Sequence, residues 1–315
     1  MPDPAISSND GTFDKVLTMP VHYDQVGIWS EVKLAIIKEY AAAYAKILDA
    51  NRKKSIRSLR WLYIDAFAGP GMHLSKTTGD IVDGSPLIAL KTTPAFSEYH
   101  FIDADAERAE QLRNIVGSRK DVHIYSEDCN KVLIRDVFPR AKYADYRRAL
   151  CLLDPYNINL KWEVIETAGQ MGSIEVFLNF MIMDINRNAL RRNRDSAIQS
   201  KIDQLTALWG DGSWEDAAFS SAGKLFEDPE KVSNEQFELA WRERLKKKAG
   251  FKFVSEPMPM KTRNNSVIYY LYFASQKPVA AGIVSDIFKE VSEQTGALIW
   301  LQTRISNGLT RRGIQ

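Results

Sequence analysis

Four short clusters in the sequence combine residue types that can do chemistry. The first is Asp65-Ala66-Phe67-Ala68-Gly69-Pro70-Gly71. Its small residues at Ala66, Ala68, Gly69 and Gly71 let a ligand approach the backbone closely. The acid at its head disfavours a pyrophosphate and suits a ligand with a cationic amino group; the alternative is a glycine turn with no ligand. The second cluster is Phe101-Ile102-Asp103-Ala104-Asp105. Asp103 is placed to accept both hydroxyls of a ribose, and Asp105 to cap a helix beginning at Ala106; the alternative is that both acids are caps. The third is Ser126-Glu127-Asp128-Cys129-Asn130, where Asp128 can take an adenine amino group or simply belong to a polar loop. The fourth is Leu152-Leu153-Asp154-Pro155-Tyr156-Asn157. Proline biases the residue before it toward an extended conformation, so Asp154 ends its strand with its carboxylate toward an amine or a cofactor. Tyr156 can stack on a planar group such as a base. A plain strand-ending turn is the alternative.

These clusters need strands to carry them, and the pattern supplies strands. Apolar residues at Trp29, Val32, Ile36, Tyr40, Tyr44, Ile47 and Leu48 predict a long amphipathic helix. Residues 59–67, 99–102, 122–125, 149–153 and 174–181 read as strands, alternating with helices over 106–116, 131–138 and 162–171. Ser85-Pro86 reads as a helix start with Ser85 as N-cap, and residues 72–84 as a long polar loop. The rhythm predicts an α/β fold: a doubly wound, mostly parallel, seven-stranded sheet, Rossmann-like, with helices on both faces. Each cluster then falls at a strand's carboxyl end, where open α/β sheets bind ligands.

Residues 1–23 read as a mobile N-terminal arm, 24–185 with 251–300 as the α/β domain, 186–250 as a helical insertion, and 301–315 as a basic C-terminal tail. Arg187, Arg191 and Arg194 follow helical spacing at the start of the insertion. They can grip phosphates of RNA or DNA, or form a solvated face. His73, beside the first cluster, reads as a substrate-side base or a structural histidine. A net charge of +2 from 42 basic and 40 acidic residues neither demands nor excludes a nucleic-acid partner. With Cys129 and Cys151 the only cysteines, no metal site is expected. The first 19 residues lack an apolar signal core, and no apolar run is long enough to span a bilayer. The expectation is a cytoplasmic protein with no membrane partner.

As a set, Tyr63-Ile64-Asp65, Phe67-Ala68-Gly69-Pro70-Gly71, Gly84-Ser85-Pro86-Leu87, Phe101-Ile102-Asp103-Ala104-Asp105 and Leu153-Asp154-Pro155-Tyr156 resemble the bacterial three-Cys-motif partner protein family. More broadly they are similar to class I methyltransferases. The resemblance implies a methyltransferase-like fold with an antiparallel hairpin at the sheet edge, which residues 251–274 fit. It implies S-adenosyl-L-methionine as cofactor, with Asp65, Phe67, Ala68, Gly69 and Gly71 around the methionine moiety, Asp103 on the ribose and Asp128 on the adenine. Asp154, Pro155 and Tyr156 would be catalytic, and a three-Cys-motif protein would be the partner. The sequence lacks the second proline of the Asp-Pro-Pro-Tyr form. Two other readings compete: a non-catalytic scaffold on the same fold, and a nicotinamide oxidoreductase, which Asp65 and the incomplete glycine turn disfavour.

Overall fold

The computed structural model describes residues 23–54, 58–190, 198–220, 230–262 and 264–310, with side chains as far as 294. The first part of the chain forms β1 (Asp24–Val26), α1 (Ile28–Lys54), β2 (Arg60–Asp65), β3 (Met72–Ser75), β4 (Ile81–Asp83), α2 (Ser85–Lys91), β5 (Glu98–Ile102), α3 (Ala106–Val116) and β6 (Val122–Tyr125). Next come α4 (Cys129–Val132), β7 (Arg147–Leu153), α5 (Trp162–Met171), β8 (Ile174–Phe180), α6 (Ile182–Asn188), α7 (Gln199–Trp209) and α8 (Trp214–Ala218). The last part holds β9 (Phe219–Ser220), β10 (Glu230–Lys231), α9 (Asn234–Lys247), β11 (Phe253–Val254), β12 (Met258–Lys261), β13 (Val267–Ser275) and α10 (Pro278–Thr310).

The central sheet runs β11-β13-β8-β7-β2-β5-β6, with β12 also beside β13. Strands β6, β5, β2, β7 and β8 are parallel, and β13 is antiparallel to β8. This is the doubly wound, mostly parallel arrangement expected, with eight strands instead of seven. The extra strand arises because the edge is split: β11 and β12 pair in turn with β13. Pro257 lies in the gap, where it has no N–H to give the ladder. The chain leaves β2 toward β5 and β6, then returns to β7 on the other side of β2. The carboxyl ends of β2 and β7 therefore bound a topological switch point, the place where such sheets bind ligands.

Alternate residues of each strand enter two cores, as a pleat with period two requires. Leu62, Ile64, Cys151, Leu153, Val176 and Leu178 pack with α5, α7 and α9. Tyr63, Leu150, Leu152 and Phe177 pack with α1 and α10. Four large aromatic residues of 186–250 enter the first core. Trp209, Trp214, Phe237 and Trp241 are buried in it, and Trp241 stacks on Phe180 of β8 at 4.8 Å. The helical stretch thus shares the core of the sheet it covers.

Four local expectations need correction. Residues 72–84 are not a loop: β3 and β4 form a hairpin, and β1 joins β3 in parallel with Asp24 opposite His73. The turn between them has Gly79 at φ +79°, which glycine adopts freely. Gly84, not Ser85, is the N-cap of α2; Ser85 is buried inside the helix. The helix expected over 131–138 is α4 running into a wide turn at Leu133–Val137 and a tight turn at Phe138–Ala141, which takes Pro139. Helix α10 continues to Thr310, so the first ten residues of the expected tail are helical. The arm at 1–22, Arg191, Arg194 and Phe226 lie outside the described residues.

Candidate functional site

The switch-point crevice is built from loops that glycine and carboxylates hold together. After β2 the backbone turns sharply, with Gly69 at φ +64° and Gly71 at φ +91°. A Cβ on Gly71 would lie 2.9 Å from Leu112 of α3, so glycine there lets loop and helix meet. The Gly69 N–H donates to Asp103 Oδ2 at 2.9 Å, and the Asp105 N–H donates to Asp103 Oδ1 at 2.8 Å. Asp103 is thereby a tie between the loops after β2 and β5. Asp105 caps α3, as expected, accepting from the N–H groups of Glu107 and Arg108.

Asp65, Asp154 and Asn179 follow the strand positions that face α1, and this brings them together. Asp65 is fully buried. Its Oδ1 accepts from the Phe67 N–H at 3.3 Å, while Oδ2 is buried without a hydrogen-bond partner among the described residues. Burial pushes this carboxyl up to about 7; the Ser85 hydroxyl and the Phe67 N–H pull the other way. Asp154 receives the Lys33 ammonium on Oδ2 and the Asn179 amide on Oδ1. The Lys33 side chain is 10% exposed and that of Asp154 26%. Burial works to lower the Lys33 pKa, but Asp154 outweighs it and the net direction is upward. Lys33 also lies 5.7 Å from the centroid of the Tyr269 ring.

Two cavities adjoin here. One, about 340 Å³, is lined by Phe67, Ala68, Gly69, His73, Asp154, Pro155 and Tyr156, among others. The other, about 380 Å³, is lined by Ala66, Phe67, Ala104, Asp128 and Asn130 with Ile158–Lys161 and part of α7. Phe67 belongs to both. Asp128 caps α4 and accepts from the N–H and the amide of Asn130, and it stays exposed on the second cavity's edge. Neither Asp65 nor Asp103 lines either cavity: Asp65 is wholly buried, and Asp103 is tied to the backbone N–H groups of Gly69 and Asp105. Tyr156 is largely exposed, with the Arg108 guanidinium 5.4 Å from its ring centroid. Arg108 in turn pairs with Asp24 of β1 at 3.1 Å. Arg187 sits on α6 with an exposed side chain.

Sequence reasoning found the four loops and His73, and missed Lys33, Asn179, Tyr269, Arg108 and Asp24. Two of these carried a signal. Lys33 falls on the apolar stripe of α1, one turn from Trp29 and Ile37, and Asn179 interrupts the apolar run Phe177-Leu178-Asn179-Phe180. A polar residue at a buried position needs a partner, and here each has the same one.

No family model matches the chain, and no curated protein does. Among solved structures it is similar to protein LPL1258 from Legionella pneumophila, at 10% identity and TM-score 0.47 over 82% of this chain and 91% of that one. The methyltransferase domain of bacterial CtHen1 is 10% identical at TM-score 0.38, covering 76% of this chain and 99% of that one. The plantazolicin methyltransferase BamL, in complex with a desmethyl plantazolicin analogue and SAH, is 10% identical at TM-score 0.31, over 79% and 91%. At these scores the likeness is one of outline, and no residue role is taken from it. The class rests on the chain's own geometry: a doubly wound α/β protein, consistent with a methyltransferase-like fold, with its crevice at the switch point.

Proposed function

We propose that the chain is an S-adenosylmethionine-dependent methyltransferase acting on a nitrogen of a nucleic-acid base, together with a three-Cys-motif protein. The observation that carries the cofactor reading is Asp65: a fully buried carboxylate with one unpartnered oxygen, beside a glycine turn at the switch point. A buried charge with incomplete hydrogen bonding is costly, and a cationic α-amino group is the complement that would relieve it. The cavities meeting at Phe67 give room for the methionine half on the Asp154 side and the adenine half on the Asp128 side. Bound there, the cofactor supplies an electrophilic methyl group. The chain's contribution is to orient the acceptor in line with it, through Asp154 and the exposed ring of Tyr156. Support for a base as acceptor comes from that ring, held by Arg108, and from Arg187 on α6.

One observation favours a second reading, a scaffold that binds cofactor or partner without methyl transfer. Both oxygens of Asp154 are already engaged, by Lys33 and Asn179, so an acceptor amine must share them. Calorimetric titration with S-adenosylmethionine tests the cofactor, and the absence of heat with and without the partner would refute the enzyme and the cofactor-binding scaffold alike, leaving only a scaffold that binds the partner. Transfer of tritiated methyl to total RNA and DNA, abolished by Asp154→Ala, separates enzyme from scaffold.

A steric prediction tests the cradle. A Cβ on Gly84 would stand 2.9 Å from the Gly71 carbonyl oxygen and 2.9 Å from His73 Nε2. Gly84→Ala is therefore expected to cost about 1–3 kcal/mol of stability and to displace the cofactor turn. Its thermal midpoint should fall and its Kd for S-adenosylmethionine rise; an unchanged Kd would detach Gly84 from the cradle.

A further inference from the structure

A third cavity opens at the other end of the sheet, where β7 and β8 begin, between the second half of α1 and the first turns of α10. Its volume is about 400 Å³. The length of β7 separates it from the switch-point crevice, about 20 Å along the strand. Most of its wall is apolar, with tyrosines at four positions, yet two polar groups stand on its inner side. The Glu175 carboxylate accepts from the Tyr40 hydroxyl at 2.5 Å, and burial pushes this carboxyl up to about 7. Tyr44 is 6% exposed, and its hydroxyl has no hydrogen-bond partner. Such a hydroxyl is a standing cost to the fold, and no hydrogen bond among the described residues offsets it. At the mouth, Tyr143 is half exposed with the Arg148 guanidinium 3.4 Å from its ring centroid. Lys277 also lines the opening.

We propose that this cavity binds a nucleoside phosphate, its base against the tyrosines, its hydrogen-bonding edge on Glu175 and Tyr44, and its phosphate toward Arg148 and Lys277. The class follows from the groups available. A carboxyl beside a phenol offers donor and acceptor together, which matches the amide or amidine edge of a heterocyclic base. Aromatic side chains hold bases by their flat faces, and cations at the mouth suit a phosphate. A purely aliphatic ligand would leave the Tyr44 hydroxyl unpaired, and a cationic one would meet Arg148 and Lys277. The same chemistry comes from a free nucleotide or from the end of a single strand.

The full chain, saturated with S-adenosylhomocysteine to occupy the adenine-accepting crevice, would be titrated calorimetrically with GMP, CMP and UMP, and with a mixed-sequence single-stranded pentanucleotide. Saturable binding is expected. Tyr44→Phe should weaken it roughly tenfold while leaving the melting temperature unchanged or higher, because an unpaired buried hydroxyl is removed. Lys277→Gln should weaken the nucleotide but not the matching nucleoside. Tighter binding of the pentanucleotide identifies a strand end as the ligand, and tighter binding of a mononucleotide the free form. Binding by none of the probes, or binding indifferent to Tyr44→Phe, overturns the proposal.

Discussion

At pH 8 and without cofactor, Asp65→Asn is expected to be more stable than the wild type by about 2 kcal/mol and to bind S-adenosylmethionine roughly 100-fold more weakly. The stability half follows from burial. Asp65 is fully buried and its carboxyl titrates near 7 in the fold, against about 3.9 in an unfolded chain. Between these values the native state holds a proton that the unfolded state has lost, so stability falls as pH rises through the window. Above pH 7 the whole cost is present, about 4 kcal/mol. Asparagine removes it but sets an amide N–H₂ where Oδ2 had no partner, which returns about 1–3 kcal/mol. At pH 4 the wild-type carboxyl is already protonated and the advantage should vanish. The binding half follows from charge: the variant offers the cofactor's amino group no anion. Wild-type affinity should therefore rise with pH and level off above about 7, while that of the variant stays flat. Urea titrations at pH 4 and 8, with calorimetry across the range, check both halves. An equal stability difference at the two pH values would mean that Asp65 is not a strained carboxylate.

What could be read in the sequence was local. Asp65 to Gly71 and Leu152 to Tyr156 are each continuous stretches in which an apolar strand runs into a turn, so residue order alone placed their acids at strand ends. The parallel sheet was legible for the same reason, since buried strands alternate with helices. The hairpin of β3 and β4 was hidden by its shortness. Met72–Ser75 and Ile81–Asp83 span four and three residues, too few for a period to show among polar neighbours. Partners were the larger loss. Lys33 meets an acid 121 residues away, and nothing local to either residue names the other. The first cavity is likewise closed by β1 and α1, which the motif order does not mention. Tyr44 read as one more member of an apolar stripe, and its unpaired hydroxyl becomes visible only once α1 packs beside Glu175.

Lys33→Met is expected to lower stability by about 2–3 kcal/mol, and the pair Lys33→Met with Asp154→Asn to recover most of that loss. Removing one member of a buried ion pair costs roughly 3–5 kcal/mol because the other is left uncompensated. Asp154 keeps 26% of its side-chain exposure, so water takes part of that burden and the lower figure is appropriate. The contribution of Lys33 should be constant across neutral pH. Its pKa is raised in the fold, so the stabilisation is complete below the unfolded value of about 10.4 and fades only as pH climbs through the higher folded one. A double-mutant cycle read by urea unfolding should return a coupling of at least about 2 kcal/mol, the recovered loss plus the cost of Asp154→Asn alone; additive losses would show that the two side chains do not act as a pair. The same variants divide the two functional readings. If Lys33 holds Asp154 for an acceptor, Lys33→Met lowers methyl transfer by a larger factor than it raises the Kd for S-adenosylmethionine, because the Lys33 charge is a small contribution at Asp65 and the glycine turn is untouched. Lys33→Arg keeps the charge but replaces a compact ammonium with a planar fork, so it should restore stability more fully than transfer. If the Lys33–Asp154 pair is only a strut of a scaffold, stability and cofactor binding respond to the cycle and no transfer is there to lose.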